Sequence, residues 1–369
     1  MIKVAKYRER GLEDEGGSTM KIKVALLDKD KTYLDRIASV FNARYMEELE
    51  IYAFTELNTA LAALQKYRID VLIADDSFDV NVDDSKIKSE LAYFVESPGI
   101  EKIKERPAIC KYQKSEVIYK QILNLFSDKV DSIQKAYANT GRCKTILFSS
   151  PAGGTGTMTM SIAASLFYQK HGNRVFYLNL DPLNSSDLIL GGESQFTMSD
   201  AIFAVKSRKG NLDLKLESYM CTSLEGVGFF RQAKVALDML ELKGDDIDIL
   251  VNSVEKSGKY DVLIINKPFR LSKTINDYLK KYDAMVSVSD GSDEVNYRLV
   301  RALDSLQLML DDEILLDKIK LIYNKFGSET GKMLSTDIIA TIGGAPKYKG
   351  ATTRQIAEKL SEMTFWEDI

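Results

Sequence analysis

The sequence has few residues of the types that build disulfide frameworks or imidazole sites, and it has no long apolar run. Its three cysteines, Cys110, Cys143 and Cys221, are scattered and odd in number, which is typical of reduced thiols and not of bridges or a metal site. The single histidine, His171, precedes Gly172 at a predicted helix end, where helix capping is the simpler role. No apolar run approaches the roughly 20 residues of a membrane helix. The net charge is only −4, so no broad basic surface for DNA or lipid is expected. We therefore expect a soluble intracellular protein.

The length of 369 residues predicts about two domains, and strand and helix patterns alternate in the first of them. Residues 1–20 are charged and glycine-containing, and we interpret them as a flexible extension. From residue 21 to 128, short apolar runs alternate with amphipathic segments, which predicts a parallel sheet with helices on both faces. The predicted strands are 22–27, 50–54, 70–75, 91–96 and 107–110, and the predicted helices are 33–45, 58–67 and 116–126.

Acidic residues follow two strands of this first domain, and a lysine follows its last strand. Asp28 and Asp30 come after the first strand, Asp75 ends the third, and Lys111 comes after the fifth. Three carboxylates at one edge of a sheet would make a cation site, because like charges so close together need a metal. The arrangement resembles the receiver domain of response regulators, which has a flavodoxin-like fold. In that family these positions would hold Mg²⁺ and accept a phosphoryl group.

Departures from the receiver pattern leave its chemistry open. Tyr112 stands where that family usually has proline, and the span from Asp75 to Lys111 is too short for the complete set of helices. An aspartate-rich loop, 79–84, occupies part of this span. The domain could carry a phosphorylated Asp75, or it could be a degenerate receiver that docks partners.

A glycine-rich segment lies between an apolar strand pattern, 144–148, and a helical pattern, 158–168. It reads Ser150-Pro151-Ala152-Gly153-Gly154-Thr155-Gly156-Thr157-Met158. Strand, glycine turn and helix form the setting of a phosphate-binding loop, in which turned N–H groups and a helix N-terminus attract an anion. The usual pattern G-x-x-x-x-G-K-[ST] is incomplete here, because Pro151, Thr157 and Met158 replace the glycine, the lysine and the metal-ligating hydroxyl. The backbone alone can still hold phosphate.

Later segments support a nucleotide-binding fold for residues 144–369, which polar residues 129–143 separate from the first domain as a linker. Strand patterns end at Asn179-Leu180-Asp181, at Asn266 and at Asn324, and Pro346 ends an Ile-Gly-Gly-Ala-Pro loop. In this order they resemble landmarks of the ParA/MinD branch of P-loop ATPases, although Asn179 and Asn266 stand where that branch has acids. The resemblance implies that Asp181 contacts Mg²⁺ and the attacking water. It also implies that Asn324 contacts adenine and Pro346 packs on the base.

The sequence thus predicts an α/β protein, with a receiver-like parallel domain followed by a P-loop NTPase parallel domain that binds ATP and Mg²⁺. Asp181 is the predicted catalytic and metal-binding residue. The branch has two lysines in this loop, one of which reaches the partner's phosphates across a dimer, and Ala152 and Thr157 replace them. We therefore expect slow or absent hydrolysis. The predicted nucleotide-binding residues are Gly153, Gly154, Thr155, Gly156, Thr157, Met158, Thr159, Asn266, Asn324 and Pro346.

A receiver-like domain fused to an atypical ATPase resembles the TadZ/CpaE group of Tad pilus assembly proteins. That resemblance implies an ATP-responsive homodimer that marks a cell pole in the cytoplasm and recruits pilus or secretion assembly proteins. A working ParA/MinD-type ATPase switch is the alternative. A DNA-acting response regulator ranks below it, because no helix-turn-helix or basic stripe supports nucleic-acid binding. The carboxyl-terminal helical pattern, 353–363, is followed by acidic residues, so we expect no direct membrane anchor.

Overall fold

The computed structural model describes residues 21–80, 89–128, 142–272, 274–310, 313–327, 331–335 and 338–369. The predicted extension, 1–20, most of the predicted linker, 129–143, and part of the aspartate-rich loop, 79–84, lie outside the described residues. The described residues form two compact units, one up to Ser115 and the other from Glu116 onward.

The first unit is built on a mainly parallel sheet. Among its described residues the strand order is β2-β1-β3-β4-β6-β5, and every neighbouring pair is parallel except β5 with β6. The carboxyl ends of parallel strands share one edge, so the segments after β1, β3 and β6 meet there. The strands are β1 (Ile22–Leu27), β2 (Leu49–Phe54), β3 (Val71–Asp75), β4 (Glu90–Val95), β5 (Lys102–Ile103) and β6 (Arg106–Cys110), and the helices are α1 (Lys31–Arg44) and α2 (Leu57–Tyr67).

The central strands of this sheet are buried on both faces. β1 and β3 are nearly continuous apolar runs, as strands of a parallel sheet covered on both sides must be. Ala25 and Leu72 pack in one cluster with Ala60 and Leu64 of α2. This packing fixes the register of β1 and β3, and with it the positions of the acidic residues at their ends.

The second unit contains a longer sheet and its covering helices. Its strands are β7 (Lys144–Ser149), β8 (Val175–Asn179), β9 (Cys221–Thr222), β10 (Gly228–Phe229), β11 (Val262–Asn266), β12 (Ala284–Ser289), β13 (Ile319–Phe326) and β14 (Ala340–Pro346). The helices are α3 (Ser115–Ser127), α4 (Thr157–Lys170), α5 (Asp187–Leu190), α6 (Met198–Ser207), α7 (Leu212–Tyr219), α8 (Gly244–Lys256), α9 (Thr274–Lys281), α10 (Asp293–Met309) and α11 (Thr353–Leu360). Short 3₁₀ helices span Ala236–Glu241, Glu313–Lys318 and Thr364–Asp368.

The strand order of the second sheet places the glycine loop at its centre. In the described residues the order is β14-β13-β12-β7-β11-β8-β10-β9, and all pairs are parallel except β9 with β10. β7 leads directly into the glycine loop, and β11 and β12 flank it. Asn266, at the end of β11, pairs in register with Phe148 of β7 and with Asn179 of β8.

Two apolar layers cover the faces of this sheet. Val262 and Ile264 of β11 face one layer, which contains α4, α11 and Trp366. Leu263 and Ile265 face the other layer, which contains parts of α6, α8, α9 and α10. Because side chains alternate along a strand, Asn266 lies on the α4 side, where the glycine loop also lies.

The fold class predicted from the sequence is confirmed: a receiver-like parallel α/β unit precedes a P-loop-type parallel α/β unit. The sequence did not predict the short strands β5, β9 and β10, and residues 342–346, predicted as a loop, belong to the edge strand β14. Within the described ranges, every helix is too short or too polar to cross a bilayer.

Candidate functional site

The glycine loop turns tightly between β7 and α4. Gly154 and Gly156 have positive φ angles of +79° and +89°, which L side chains rarely adopt, and Gly156 is the N-cap of α4. Among the described residues, no backbone group accepts a hydrogen bond from the N–H of Gly153, Gly154 or Gly156. The first N–H groups of α4 also have no partner inside the helix. The loop therefore offers a series of backbone donors to an anion.

Two consecutive residues of β13 hold this loop in place. The buried Asn324 donates from Nδ2 to the carbonyl of Thr155 at 2.8 Å. Lys325 donates from Nζ to the carbonyl of Gly154, also at 2.8 Å. A Cβ atom at Gly156 would lie 2.3 Å from Asn324 Nδ2, so glycine is required there for Asn324 to approach. Asn324 thus acts first as a clamp on the loop, and its Oδ1 is the atom it has to offer to a base.

Beside the loop, the ends of β8 and β11 bring two asparagines together. Asn266 donates from Nδ2 to Asn179 Oδ1 at 3.1 Å, and both residues are more than nine-tenths buried. Asn179 Oδ1 also accepts from the N–H of Asp181 at 3.0 Å, and Asn179 Nδ2 donates to the hydroxyl of Tyr177 at 3.1 Å. Where the ParA/MinD pattern has two acids, this chain has a neutral, mutually satisfied amide pair. Such a pair needs no cation for its own stability.

Asp181 stands at the rim of this cluster. It is half-buried, and its Oδ1 accepts a hydrogen bond from the N–H of Leu183 at 3.0 Å, which leaves Oδ2 for a ligand. Pro346 is exposed at the end of β14 and lines a cavity of about 440 Å³ together with Tyr323 and Phe326. These predicted residues thus lie on the strands that surround the loop.

The side chains of the remaining predicted loop residues contact neighbouring protein groups. Thr155 is 1% exposed, and its hydroxyl lies 3.1 Å from the hydroxyl of Thr157. Met158 and Thr159 are half-buried in the first turn of α4, and Met158 packs against the apolar layer on that side of the sheet. Since thioether sulfur is a poor ligand for Mg²⁺, the protein itself offers a cation little beyond Asp181.

In the first unit, Lys111 occupies the position between the acidic strand ends. Its Nζ lies 2.7 Å from Asp28 Oδ2 and also contacts Asp75, and the Lys111 and Asp28 side chains are almost fully buried. Asp30 does not join them. Its carboxylate is the N-cap of α1 and accepts from the N–H groups of Thr32 and Tyr33 at 2.8 and 3.1 Å.

The ion pairing changes the acidity of this cluster. Burial acts to raise the pKa of Asp75, but hydrogen bonds from Lys111 and Ser77 outweigh it, so the pKa lies below its ordinary value. Burial acts to lower the pKa of Lys111, but the carboxylates of Asp28 and Asp75 raise it above the ordinary lysine value. In the described part of the chain, no group of three or more His, Cys, Asp or Glu residues is arranged to hold a metal. The ammonium group of Lys111 therefore offsets the charges of Asp28 and Asp75.

The sequence patterns assign no role to Lys325, which follows Asn324 in β13. In a regular strand, consecutive side chains point to opposite faces, so a lysine after Asn324 would point away from the loop. The register of β13 against β14 shifts between Tyr323 and Phe326, and Lys325 has a left-handed φ of +59°. That local distortion turns its side chain toward the loop, and no pattern in the sequence indicates it.

Solved structures with a similar fold include the following three proteins. A ParA family ATPase from Chlorobium tepidum TLS shares 15% identity, with 59% of this chain and 90% of that chain covered and a TM-score of 0.48. The septum site-determining protein MinD from Pyrococcus horikoshii OT3, complexed with Mg-ADP, shares 19% identity over 60% and 95%, with a TM-score of 0.45. A plasmid partition protein from Borrelia burgdorferi shares 20% identity over 62% and 100%, with a TM-score of 0.44.

A family model matches the first part of the chain. Residues 20–127 match the model described as a TadZ-like receiver domain. No curated protein matches the chain significantly. The family match confirms the relationship that the sequence predicted for this region.

Proposed function

Because residues 20–127 belong to the TadZ-like receiver-domain family, we propose that this chain is an ATP-binding assembly factor of a Tad pilus system. In this proposal the chain forms a dimer in response to ATP, hydrolyses it slowly or not at all, and recruits pilus assembly proteins at a cell pole. The observation that carries the proposal is a phosphate loop with its backbone donors intact next to a neutral Asn179–Asn266 pair.

Backbone donors support ATP binding at the glycine loop. The N–H groups of the glycine loop and of the first turn of α4 come from consecutive residues, and the α4 N-terminus adds a partial positive charge. A hydrogen bond to a charged group contributes about 1.5–3 kcal/mol, so a few such bonds can retain a triphosphate. The ParA/MinD resemblance implies adenine contacts for Asn324 and Pro346, and the hydrogen bond from Asn324 to the Thr155 carbonyl puts that residue next to the loop.

The same cluster lacks the groups that accelerate hydrolysis. Phosphoryl transfer needs charge neutralised at the β–γ bridge, and trans-acting cations of the arginine-finger type contribute on the order of 10³-fold or more. Thr157 stands in the lysine position of the loop, and the strand-end acids are Asn179 and Asn266. Mg²⁺ would be held by the phosphates and Asp181, with Met158 giving no oxygen ligand. Slow turnover follows from these residues acting together.

The receiver unit has a docking role in this proposal. Lys111 already offsets the charge of Asp28 and Asp75, so the unit can fold and present a surface without a cation. Phosphorylation of Asp75 stays a prediction, and treatment with a small phosphoryl donor followed by mass measurement would test it.

The experiment that tests the function combines calorimetry, phosphate release and mass measurement. Titration of ATP and AMP into the purified chain, with and without Mg²⁺, gives the affinity, and light scattering on a sizing column gives the mass with and without ATP. We expect ATP uptake, a doubled mass and little phosphate release. Turnover comparable with active partition ATPases and abolished by Asp181→Ala would favour the ATPase switch instead, and the absence of any ATP uptake would refute the proposal.

A further inference from the structure

The glycine loop contains no lysine of its own, but a lysine from strand β13, Lys325, lies beside it. Lys325 reaches the loop from β13, and its ammonium group lies 2.8 Å from the carbonyl of Gly154. Its Cε lies 3.8 Å from the position a Cβ would take at Gly156. Among the described residues, Lys325 is the cation whose side chain hydrogen-bonds to the segment from Gly153 to Gly156.

In the part of the chain that the structure describes, no carboxylate forms an ion pair with Lys325, and its Nζ donates to the neutral carbonyl of Gly154. A carbonyl is a weaker partner for an ammonium group than a phosphate oxygen, because the Coulomb attraction between opposite charges adds to the hydrogen bond to phosphate. The side chain is exposed, so it can exchange that carbonyl for a phosphate without unpacking the core.

The backbone at Lys325 is held in an unusual conformation that serves this orientation. A lysine with φ of +59° lies in the left-handed region, which non-glycine residues seldom occupy. The turn, together with the register shift in β13, brings Lys325 to the same face as Asn324, so the two side chains clamp successive carbonyls of the loop. A regular strand would place the ammonium on the opposite face.

We propose that Lys325 supplies in cis the phosphate-binding cation that the loop has lost at Ala152 and Thr157, by moving its ammonium from Gly154 O to the outer phosphates of a nucleoside triphosphate. This inference rests on the proposed ATP binding, and it adds the residue that lets the site prefer a triphosphate over a monophosphate. In this proposal Lys325 binds the nucleotide from strand β13, whereas the lysines of the ParA/MinD pattern lie in the loop itself.

The test compares ATP and AMP affinity by calorimetry for the full chain and for Lys325→Met. We expect ATP affinity to fall about ten- to one-hundred-fold and AMP affinity to stay within a factor of about two, since only the outer phosphates meet the ammonium. Lys325→Arg should keep most of the preference for ATP. Lys320→Met removes the same charge at the far end of the same strand and should change neither affinity.

A second variant separates a lost cation from a damaged fold. Lys325→Gly removes the side chain and also relieves the left-handed strain, so its melting temperature should match or exceed that of the parent while its preference for ATP is lost. If the parent takes up ATP and Lys325→Met keeps the full ratio of ATP to AMP affinity, the role of Lys325 is refuted and ATP binding stands. If the parent takes up neither nucleotide, both proposals are refuted.

Discussion

Asn179 and Asn266 stand where the ParA/MinD resemblance implies acids, and their amide groups have nearly the shape of carboxylates but no charge. Each amide uses the other or a close neighbour, so the buried pair is satisfied without metal or water. Two carboxylates at the same spacing would repel each other unless a cation lay between them. The neutral pair is therefore stable without a cation between the two side chains.

Replacing Asn266 by aspartate should show how much the neutral pair contributes to the free energy of unfolding. Asn266→Asp removes the donor to Asn179 Oδ1 and places two oxygens about 3 Å apart in a buried site, so we expect a loss of about 1–3 kcal/mol in the free energy of unfolding. Chemical denaturation at neutral pH without Mg²⁺ measures it. Asn252→Asp makes the same change on the exposed face of α8 and should have almost no effect. Equal stability of the two variants would show that the hydrogen bond between the Asn266 and Asn179 side chains contributes nothing to the free energy of unfolding.

Lys111 sets the acid stability of the first unit. In the folded protein the pKa of Asp75 is lowered, so its ionised form stabilises the fold above the ordinary pKa of about 4. This contribution is lost as the pH falls through the lowered pKa. Lys111→Met should cost about 3 kcal/mol at pH near 7, because it leaves Asp28 and Asp75 buried without a counter-charge.

The difference between Lys111→Met and the parent should shrink at pH near 3, where the carboxyl group of Asp75, no longer paired with the ammonium, becomes protonated in the variant. Urea unfolding at both pH values measures it, and Lys31→Met, an exposed lysine of α1, provides the matched control. A difference that stays constant with pH would mean that the loss comes from packing of the lysine stem and not from its charge.

At the scale of elements, the N-cap of α4, Gly156, must be glycine for two separate reasons. Gly156 has a positive φ, and a Cβ there would collide with Asn324. Gly172, just beyond the end of the same helix, has a similar φ of +84° but open space around it. Gly172→Ala should therefore cost about 1 kcal/mol from backbone strain alone.

Gly156→Ala should cost at least about 2 kcal/mol, because the collision adds to the strain and drives Asn324 from the Thr155 carbonyl. It should also weaken ATP binding, whereas Gly172→Ala should not. Thermal unfolding and ATP titration of the two variants measure these effects. Equal losses in both variants would contradict the clamp assigned to Asn324.

The elements that the sequence predicted well are those whose burial repeats along the chain. β1, β3, β8 and β11 are apolar runs covered on both faces, and their ends carry Asp28, Asp75, Asn179 and Asn266 to the edges where these residues meet. The short strands β5, β9 and β10 have two residues each, too few to show a period. The turn at Lys325 arises from the pairing of β13 with β14, which is a tertiary effect that single-sequence patterns do not contain.

At the scale of the whole molecule, different spectroscopic signals follow the unfolding of the two units, so the effect of a nucleotide on each unit can be measured. The sequence contains one tryptophan, Trp366, which is fully buried in the apolar layer that also holds α4, with its ring 6.1 Å from that of Phe148 in β7. Tryptophan emission therefore reports unfolding of the second unit, whereas circular dichroism reports both units.

A ligand that binds only the native state stabilises it by about 2.7 kcal/mol when its concentration is 100 times the dissociation constant. We expect such an excess of ATP to raise the midpoint of the tryptophan transition, while the part of the dichroism change that belongs to the first unit keeps its midpoint. Adenosine at the same concentration is the control and should shift the transition less, because it lacks the phosphates that meet the loop. If excess ATP leaves the tryptophan transition unmoved, the nucleotide site does not lie in the second unit. If ATP shifts the first unit alone, binding occurs in that unit and not at the glycine loop.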